Sequence, residues 1–511
     1  MKGKCWKSAF IGLLIGLASC TPRTEYTDAL PRNASMVVAL ELDEMAEKAG
    51  LDDKSGKKVT DKLTTFLKSG LQGDAAKLAE RIVAKPSESG LSFEDKVYLF
   101  ATPHANAFAI LAKVDDLAKL ENVIQALEKE QLCNALKEEG ECQWTQMGEA
   151  LCAFNNGTFL LMQNASGDAE NIKGTLFSLM RQKEGEGYAS LPEFEKIAGE
   201  GNDAAFIVDL SVLPYEWTTP LRMGLSADIR LEDIKYVTTL NFEQGRVVMQ
   251  SESLISNPKI QTFLDNVDKI IQPIQGHFLE EYPGNTMLWA GGRFQGKELY
   301  RVLAQNPAIK QMLDNPLLPV DVENIFASIE GDFAFANASL LTGEYLLYAE
   351  VTNSGFLKDF ESLRPLLALT GGQITLEKLG DDAYLMRTYY GNFWFGVEKN
   401  RLYVTNNPTL AEEVGRTYGA SLGRKPWAIE VKDNRLYASL NLAELAQTLG
   451  KYRSLELTGN TQTDLIIKFL SGQCEALNMA MPDARHGKAE LVLKDKDTNL
   501  LKLVVDILGQ L

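Results

Sequence analysis

One pattern punctuates the chain. A short apolar run, alternating as a half-buried strand does, leads through Asp or Asn into apolar residues at helical spacing. It appears as VALELDEM with Asp43, ILAKVDDLAKL with Asp115, FIVDLSVL with Asp209, YAEVTNSGFL with Asn353 and SLNLAEL with Asn441. Asp and Asn suit the junction because their side chains accept hydrogen bonds from the first free helix N–H groups. LWAGGRFQGKELY is a sixth copy, with glycine as linker and cap. Longer helices show full stripes. DDLAKLENVIQALEKE puts Leu117, Leu120, Val123, Ile124 and Leu127 on one face. KIQTFLDNVDKII does the same with Ile260, Phe263, Leu264, Val267, Ile270 and Ile271. LLKLVVDIL reads as a half-buried antiparallel strand, with Leu501, Leu503 and Val505 on one side. FNNGTF and VEKNRLY carry hairpin signals. Strand pairs followed by a helix, repeated, predict an α+β fold with antiparallel sheets and packed helices.

These stretches recur at long range. PRNASMVVALELDEM pairs with PGNTMLWAGGRFQGKEL, VYLFA with FAFAN, and TFLLMQN with NRLYVTN. AAFIVDLSVL pairs with RLYASLNLAEL, and VTTLNFEQGRVVMQSESL with AELVLKDKDTNLLKLVVDIL. The pairs keep one order at an offset of roughly 240 residues, which predicts an internal duplication. The expected organisation is a leader over 1–19, a tether over 20–30, and two tandem α+β halves over 31–275 and 276–511.

The N-terminus says where the chain goes. MKGKCWK is basic, and AFIGLLIGLAS is an apolar core too short to span a bilayer as a permanent helix, so the pair reads as a secretion signal. It closes on Leu17-Ala18-Ser19-Cys20, which resembles the bacterial lipobox. In that class the Cys sulfur takes diacylglycerol and the leader is cut before it. Cys20 is therefore the expected lipid attachment site, and two or more acyl chains hold a protein stably on a membrane. The net charge of −17 becomes more negative once the leader lysines leave, which disfavours nucleic acid and anionic lipid as non-specific partners.

Motif chemistry is sparse. Gly291, Gly296 and Lys297 form G-x-x-x-x-G-K, but a phosphate loop continues with Ser or Thr, and here Glu298 would repel phosphate. His104, His277 and His486 lie in unrelated contexts and read as surface or loop residues. H-E-x-x-H and C-x-x-C are both absent. The adjacent pairs Glu280-Glu281, Asp381-Asp382 and Glu412-Glu413 read as solvated surface, since a glycosidase needs carboxylates on opposite sides of a sugar. Cys133, Cys142, Cys152 and Cys474 remain in the mature chain. A Cys133–Cys142 or Cys142–Cys152 disulfide stands level with free buried thiols. No cofactor and no metal are expected.

Aromatics crowd AYLMRTYYGNFWFGVEKNRLY. Alternation buries about half of any such strand, which leaves Tyr389, Tyr390, Phe393 and Trp394 as the best candidate contact surface.

The lipobox, the short tether TPRTEYTDA and the opening LPRNASMVVALELDEMAEKAGL resemble uncharacterised Bacteroidota lipoproteins grouped as domain-of-unknown-function family 4836. Pro31, Asn33, Ala34, Val37 and the Ala49-Gly50-Leu51 helix end carry the resemblance. It spans essentially the whole mature chain, implies no known activity, and carries over only Cys20 as a functional position. Thr21-Pro22-Arg23-Thr24 lacks the acidic cluster of surface-exposed relatives, which points to an outer-membrane anchor facing the periplasm. The resulting expectation is a non-catalytic, lipid-anchored envelope protein that binds a protein partner or polymer. The alternatives are an envelope hydrolase acting on glycans or peptides, and a periplasmic ligand carrier.

Overall fold

Period-two alternation decides most of the structure. In Val97–Thr102 and Met36–Leu40 every second residue is buried, and such runs become stable only by pairing and covering that face. The structure is a computed structural model that describes residues 25–102, 106–213, 229–305, 307–313, 320–339, 343–455 and 468–510. Its strands all pair antiparallel among the described residues, and its helices pack on both sheet faces, giving the expected α+β class. The chain falls into two compact units, one running to Val208 with the last residues from Leu508, the other spanning Asp209–Ile507.

The first unit contains β1 (Met36–Leu40), β2 (Val97–Thr102), β3 (Ala107–Lys113), β4 (Lys137–Glu139), β5 (Cys142–Met147), β6 (Ala150–Phe154), β7 (Thr158–Asn164) and β8 (Ala204–Asp209). Their ladder order is β8-β1-β2-β3-β7-β6-β5-β4. Helix α1 (Leu42–Ala49) follows β1. Helix α2 (Leu117–Lys129) covers one face, with Leu120 and Ile124 against Cys152 and Phe154. Helix α3 (Glu170–Met180) lies along β6 and β7, and Phe177 meets Trp144 edge-on at 5.8 Å.

The second unit contains β9 (Ile234–Glu243), β10 (Arg246–Ile255), β11 (Leu288–Gln295), β12 (Ile329–Ser339), β13 (Glu344–Val351), β14 (Thr375–Gly380), β15 (Ala383–Thr388), β16 (Gly391–Glu398), β17 (Arg401–Thr405), β18 (Leu436–Asn441), β19 (Cys474–Met481) and β20 (His486–Leu493). Eight of them run β18-β11-β12-β13-β17-β16-β15-β14, the order seen in the first unit. Beyond β18 the ladder continues through β19, β20, β10 and β9. Its helices include α4 (Pro258–Ile270), α5 (Gly296–Leu303), α6 (Leu357–Ser362), α7 (Arg364–Ala368), α8 (Leu442–Leu455) and α9 (Leu500–Gln510). One sheet face packs Trp289, Tyr348 and Tyr437 against Phe278, Leu279 and Tyr282. The other packs Ala349, Phe395 and Leu402 under Phe356 and Leu357.

Several expectations need correction. LLKLVVDIL is not a strand but lies in α9. Leu500, Leu503 and Ile507 also satisfy helical spacing, Asn499 accepts from the Leu501 N–H at 2.9 Å, and Leu500 and Leu503 pack against Cys474 and Leu493. A nine-residue apolar run fits both periods, and the preceding Asn settles it. Among the proposed caps, Asn441 accepts from the Glu444 N–H at 3.2 Å. At the α2 junction Asp116, not Asp115, accepts from the Lys119 N–H at 3.1 Å. Asp43 sits inside α1, whose N-cap is Glu41 without a side-chain bond. Asp209 makes no side-chain cap bond either, and Asn353 accepts from the Gly355 N–H ahead of α6. Gly296 is the first residue of α5, and Gln295 is its N-cap.

One rung of each ladder carries a buried ion pair. In the second unit Arg293 and Asp332 face each other across β11 and β12, 3.3 Å apart. The Asp332 carboxylate is 2% exposed and also accepts from the N–H groups of Gln275, Gly276 and His277. In the first unit Leu40 faces Val97, and the next residues outward are Glu41 and Lys96, 3.2 Å apart. Buried Lys96 donates to the carbonyls of Ile197 and Gly199. Removing one partner of such a pair leaves an unpaired buried charge, at about 3–5 kcal/mol. Asp332→Ala is therefore expected to lower the denaturation midpoint of the full chain sharply. Glu377→Ala, which breaks the exposed Arg387 pair, is expected to leave it nearly in place. Chemical denaturation of both variants checks this.

Candidate contact site

The aromatic cluster resolves into an inside and an outside. Tyr384 of β15 and Phe395 of β16 are paired across the ladder, buried and stacked at 5.6 Å. Phe393 and Trp394 are half-buried on β16. Tyr389 and Tyr390 form the turn between the strands and are 89% and 90% exposed. Thr388 closes that turn: its hydroxyl accepts from the Tyr390 N–H and donates to the Gly391 carbonyl. Gly391 takes a φ of +137°, which a side chain would resist, whereas both tyrosines keep negative φ. The two rings meet edge-on at 5.5 Å and touch little else.

A second apolar loop leaves the same end of this ribbon. Thr375 at the start of β14 pairs with Arg387 near the end of β15, so the chain entering β14 lies beside the tyrosine turn. That entering chain includes α7 and the turn after it, with Leu366 45% and Leu369 83% exposed. Thr370 ties the turn down by accepting from the Ile374 N–H at 3.1 Å. Residues 365–376 carry no charge, and neither do residues 388–397, in a chain with 69 acidic residues. Sequence reading found the tyrosines but missed Leu366 and Leu369. Their signal was the charge-free run itself, on the edge strand's side of the hairpin. In the first unit the turn between β5 and β6 holds Gly148 and Glu149 instead.

The other candidates lie elsewhere. Cys20 and His104 fall outside the described residues. His277 sits 2.5 Å from Glu350, and His486 2.8 Å from Asp483, both half-exposed. Around His277 the carboxylates are already engaged: Glu350 accepts from the Asp332 N–H, and Asp332 holds Arg293 and a loop backbone. Gly291 and Gly292 lie within β11, where side chains would strike the Trp289 and Phe333 rings, and one at Gly296 would strike the Phe326 carbonyl. These glycines serve packing, not phosphate. Among the described residues no group of three His, Cys, Asp or Glu is placed to hold a metal, and no helix is long and apolar enough to cross a membrane.

The disulfide alternative is overturned, since Cys133, Cys142, Cys152 and Cys474 are all free and buried. Burial pushes their thiols up, that of Cys152 to about 12. An apolar pocket of about 190 Å³ opens between α4 and the ends of β18 and β19, lined by Phe263, Val267, Leu436 and Met481. Sites for small ligands run from about 300 to 1,000 Å³, so this one is undersized for a carrier.

Comparison with known proteins shows the family and little more. The chain belongs to the family described as domain of unknown function DUF4836, matched over residues 26–501. No curated protein matches it. Crystal forms III and I of TP0453 are each 11% identical with a TM-score of 0.28, over 50% of this chain and 88% of theirs. Crystal form IV gives 10% identity and the same TM-score, over 49% and 86%. Likeness at that level carries no inference about this DUF4836 chain.

Two outcomes follow. Phe395→Ala is expected to cost about 3–5 kcal/mol, whereas Tyr389→Ala with Tyr390→Ala stays within about 0.5 kcal/mol per site; urea titration of both separates them. Iodoacetamide at pH 8 is expected to leave the four described thiols unlabelled in the native chain and to label all four in denaturant, as read by mass spectrometry, because the thiolate is the reactive form.

Proposed function

We propose that this DUF4836 protein is a lipid-anchored protein of the cell envelope that acts by binding. Its anchor is Cys20, freed when the leader over 1–19 is removed, and it faces the periplasm from the outer membrane. The body arose by internal duplication of an α+β half. Supporting that are the repeated eight-strand order and the ion pair on the same rung of both ladders. The binding reading rests on one observation. The tip of the second unit exposes Leu369, Tyr389 and Tyr390 almost fully, in loops without charge. Contiguous apolar exposure of that kind marks contact surfaces, and the ionisable cluster around buried Asp332 is consumed by structural bonds.

The anchor is checked by labelling cells with a tagged fatty acid. Label and membrane association are expected in the natural chain and absent after Cys20→Ala. The contact surface is checked by placing a photo-crosslinking phenylalanine analogue at Tyr390 and irradiating native envelopes. An adduct is expected there and not at Lys399, an exposed residue at a different turn. Equal labelling at both positions, or none at Tyr390, would remove the tip from the proposal.

A further inference from the structure

We infer that the tip of the second unit docks into the interfacial zone of a lipid bilayer; this rests on the tip being the contact surface and names what it contacts. Shape and size come first. The exposed apolar set is Leu366, Leu369, Tyr389 and Tyr390, carried on two loops at one end of a strand ribbon. A stable protein interface takes about 20–30 residues from each side and centres on a packed pocket. Four residues on a projecting end fall far short of that. A bilayer asks for less, because it deforms around a tip and needs only a few side chains at headgroup depth.

Composition argues the same way. Tyrosine belongs at the membrane boundary because its ring is apolar and its hydroxyl remains wet. Leucine adds aliphatic area, for which a sugar polymer would have little use. The loops carry no carboxylate between Glu361 and Glu377, and none between Asp382 and Glu398. Charges begin only behind the tip, where Arg364 opens α7 and Arg387 pairs with Glu377. Cations set back from an apolar tip can reach up to headgroups. The chain's net charge of −17 repels anionic surfaces as a whole, so the attraction is apolar and interfacial, and zwitterionic lipid suffices.

The test uses the full chain carrying Cys20→Ala, so that no acyl chain masks the tip. It is floated with phosphatidylcholine vesicles, then with vesicles that also contain phosphatidylglycerol. The expected result is flotation with phosphatidylcholine alone, insensitive to salt. The Leu369→Ser, Tyr389→Ser, Tyr390→Ser triple variant is expected to bind about tenfold or more weakly, as each lost apolar group cuts the buried area. Its denaturation midpoint should be unchanged, which excludes misfolding as the cause. No flotation with phosphatidylcholine, undiminished flotation of the triple variant, or binding only to anionic vesicles would each overturn the inference. A protein adduct at Tyr390 in envelopes without vesicle binding would sink the lipid inference and leave the contact surface standing. No adduct and no vesicle binding would remove both.

Discussion

The second unit is organised around one carboxylate. Asp332 is nearly inaccessible to water, and a buried charge is tolerated only when its partners replace the solvent it has lost. It finds them in Arg293 across the ladder and in three successive backbone N–H groups of residues 275–277. Successive N–H groups aimed at one anion form a concave nest, a fixed set of dipoles that costs little reorganisation. That bond decides where the next residues go. Phe278, Leu279 and Tyr282 follow directly and fill the core against Trp289 and Tyr348, and the Tyr282 hydroxyl donates to the carbonyls of Ala334 and Leu346. Glu350 supports the arrangement by accepting from the Asp332 N–H at the irregular step after Gly331. Gly331 stands at φ +137° there, where any side chain would collide with Glu350.

The first unit solves the same problem with the opposite sign. Lys96 occupies the rung of Asp332 and Glu41 that of Arg293. The backbone groups change to match: Lys96 is met by carbonyls of Ile197 and Gly199, not by N–H groups. In each unit the sign of the pair must match its surroundings, since a mismatched pair would bury two like charges. What the two units share is therefore a position that must hold a paired ion, more than any particular residue.

How legible was this from sequence? The strands were, because alternation is a local property that pairing only has to accept. The turn at Lys399 and Asn400 was too, since both residues adopt positive φ as its composition demands. Helix starts were legible only to within a residue or two. Asp115 and Asp116 are adjacent, and the choice between them depends on where the strand lets go. The C-terminal helix was misread because nine apolar-rich residues fit two periods. The thiols were ambiguous because spacing along the chain says nothing about which face of a strand a cysteine occupies. Cys152 points into the α2 core. The rung with Asp332 was invisible: its partners lie 39 and about 56 residues away, joined only when the sheet forms.

The tip sits at the other extreme, and that gives it meaning. Phe395 and Tyr384 are what a half-buried hairpin needs, and the fold accounts for them fully. The turn itself needs only Thr388 to close it and Gly391 to take the awkward dihedral. Nothing in the packing asks for tyrosine at 389 and 390; the equivalent turn of the first unit manages with glycine and glutamate. Leu369 is in the same position, on a turn held by Thr370 and not by its own side chain. Large apolar groups left in water bring no stability to the folded chain, and they raise the risk of association. Residues whose identity folding does not explain are the ones to read for function. Leu366, Leu369, Tyr389 and Tyr390 share one end of one ribbon, in loops without charge, in a chain otherwise rich in it.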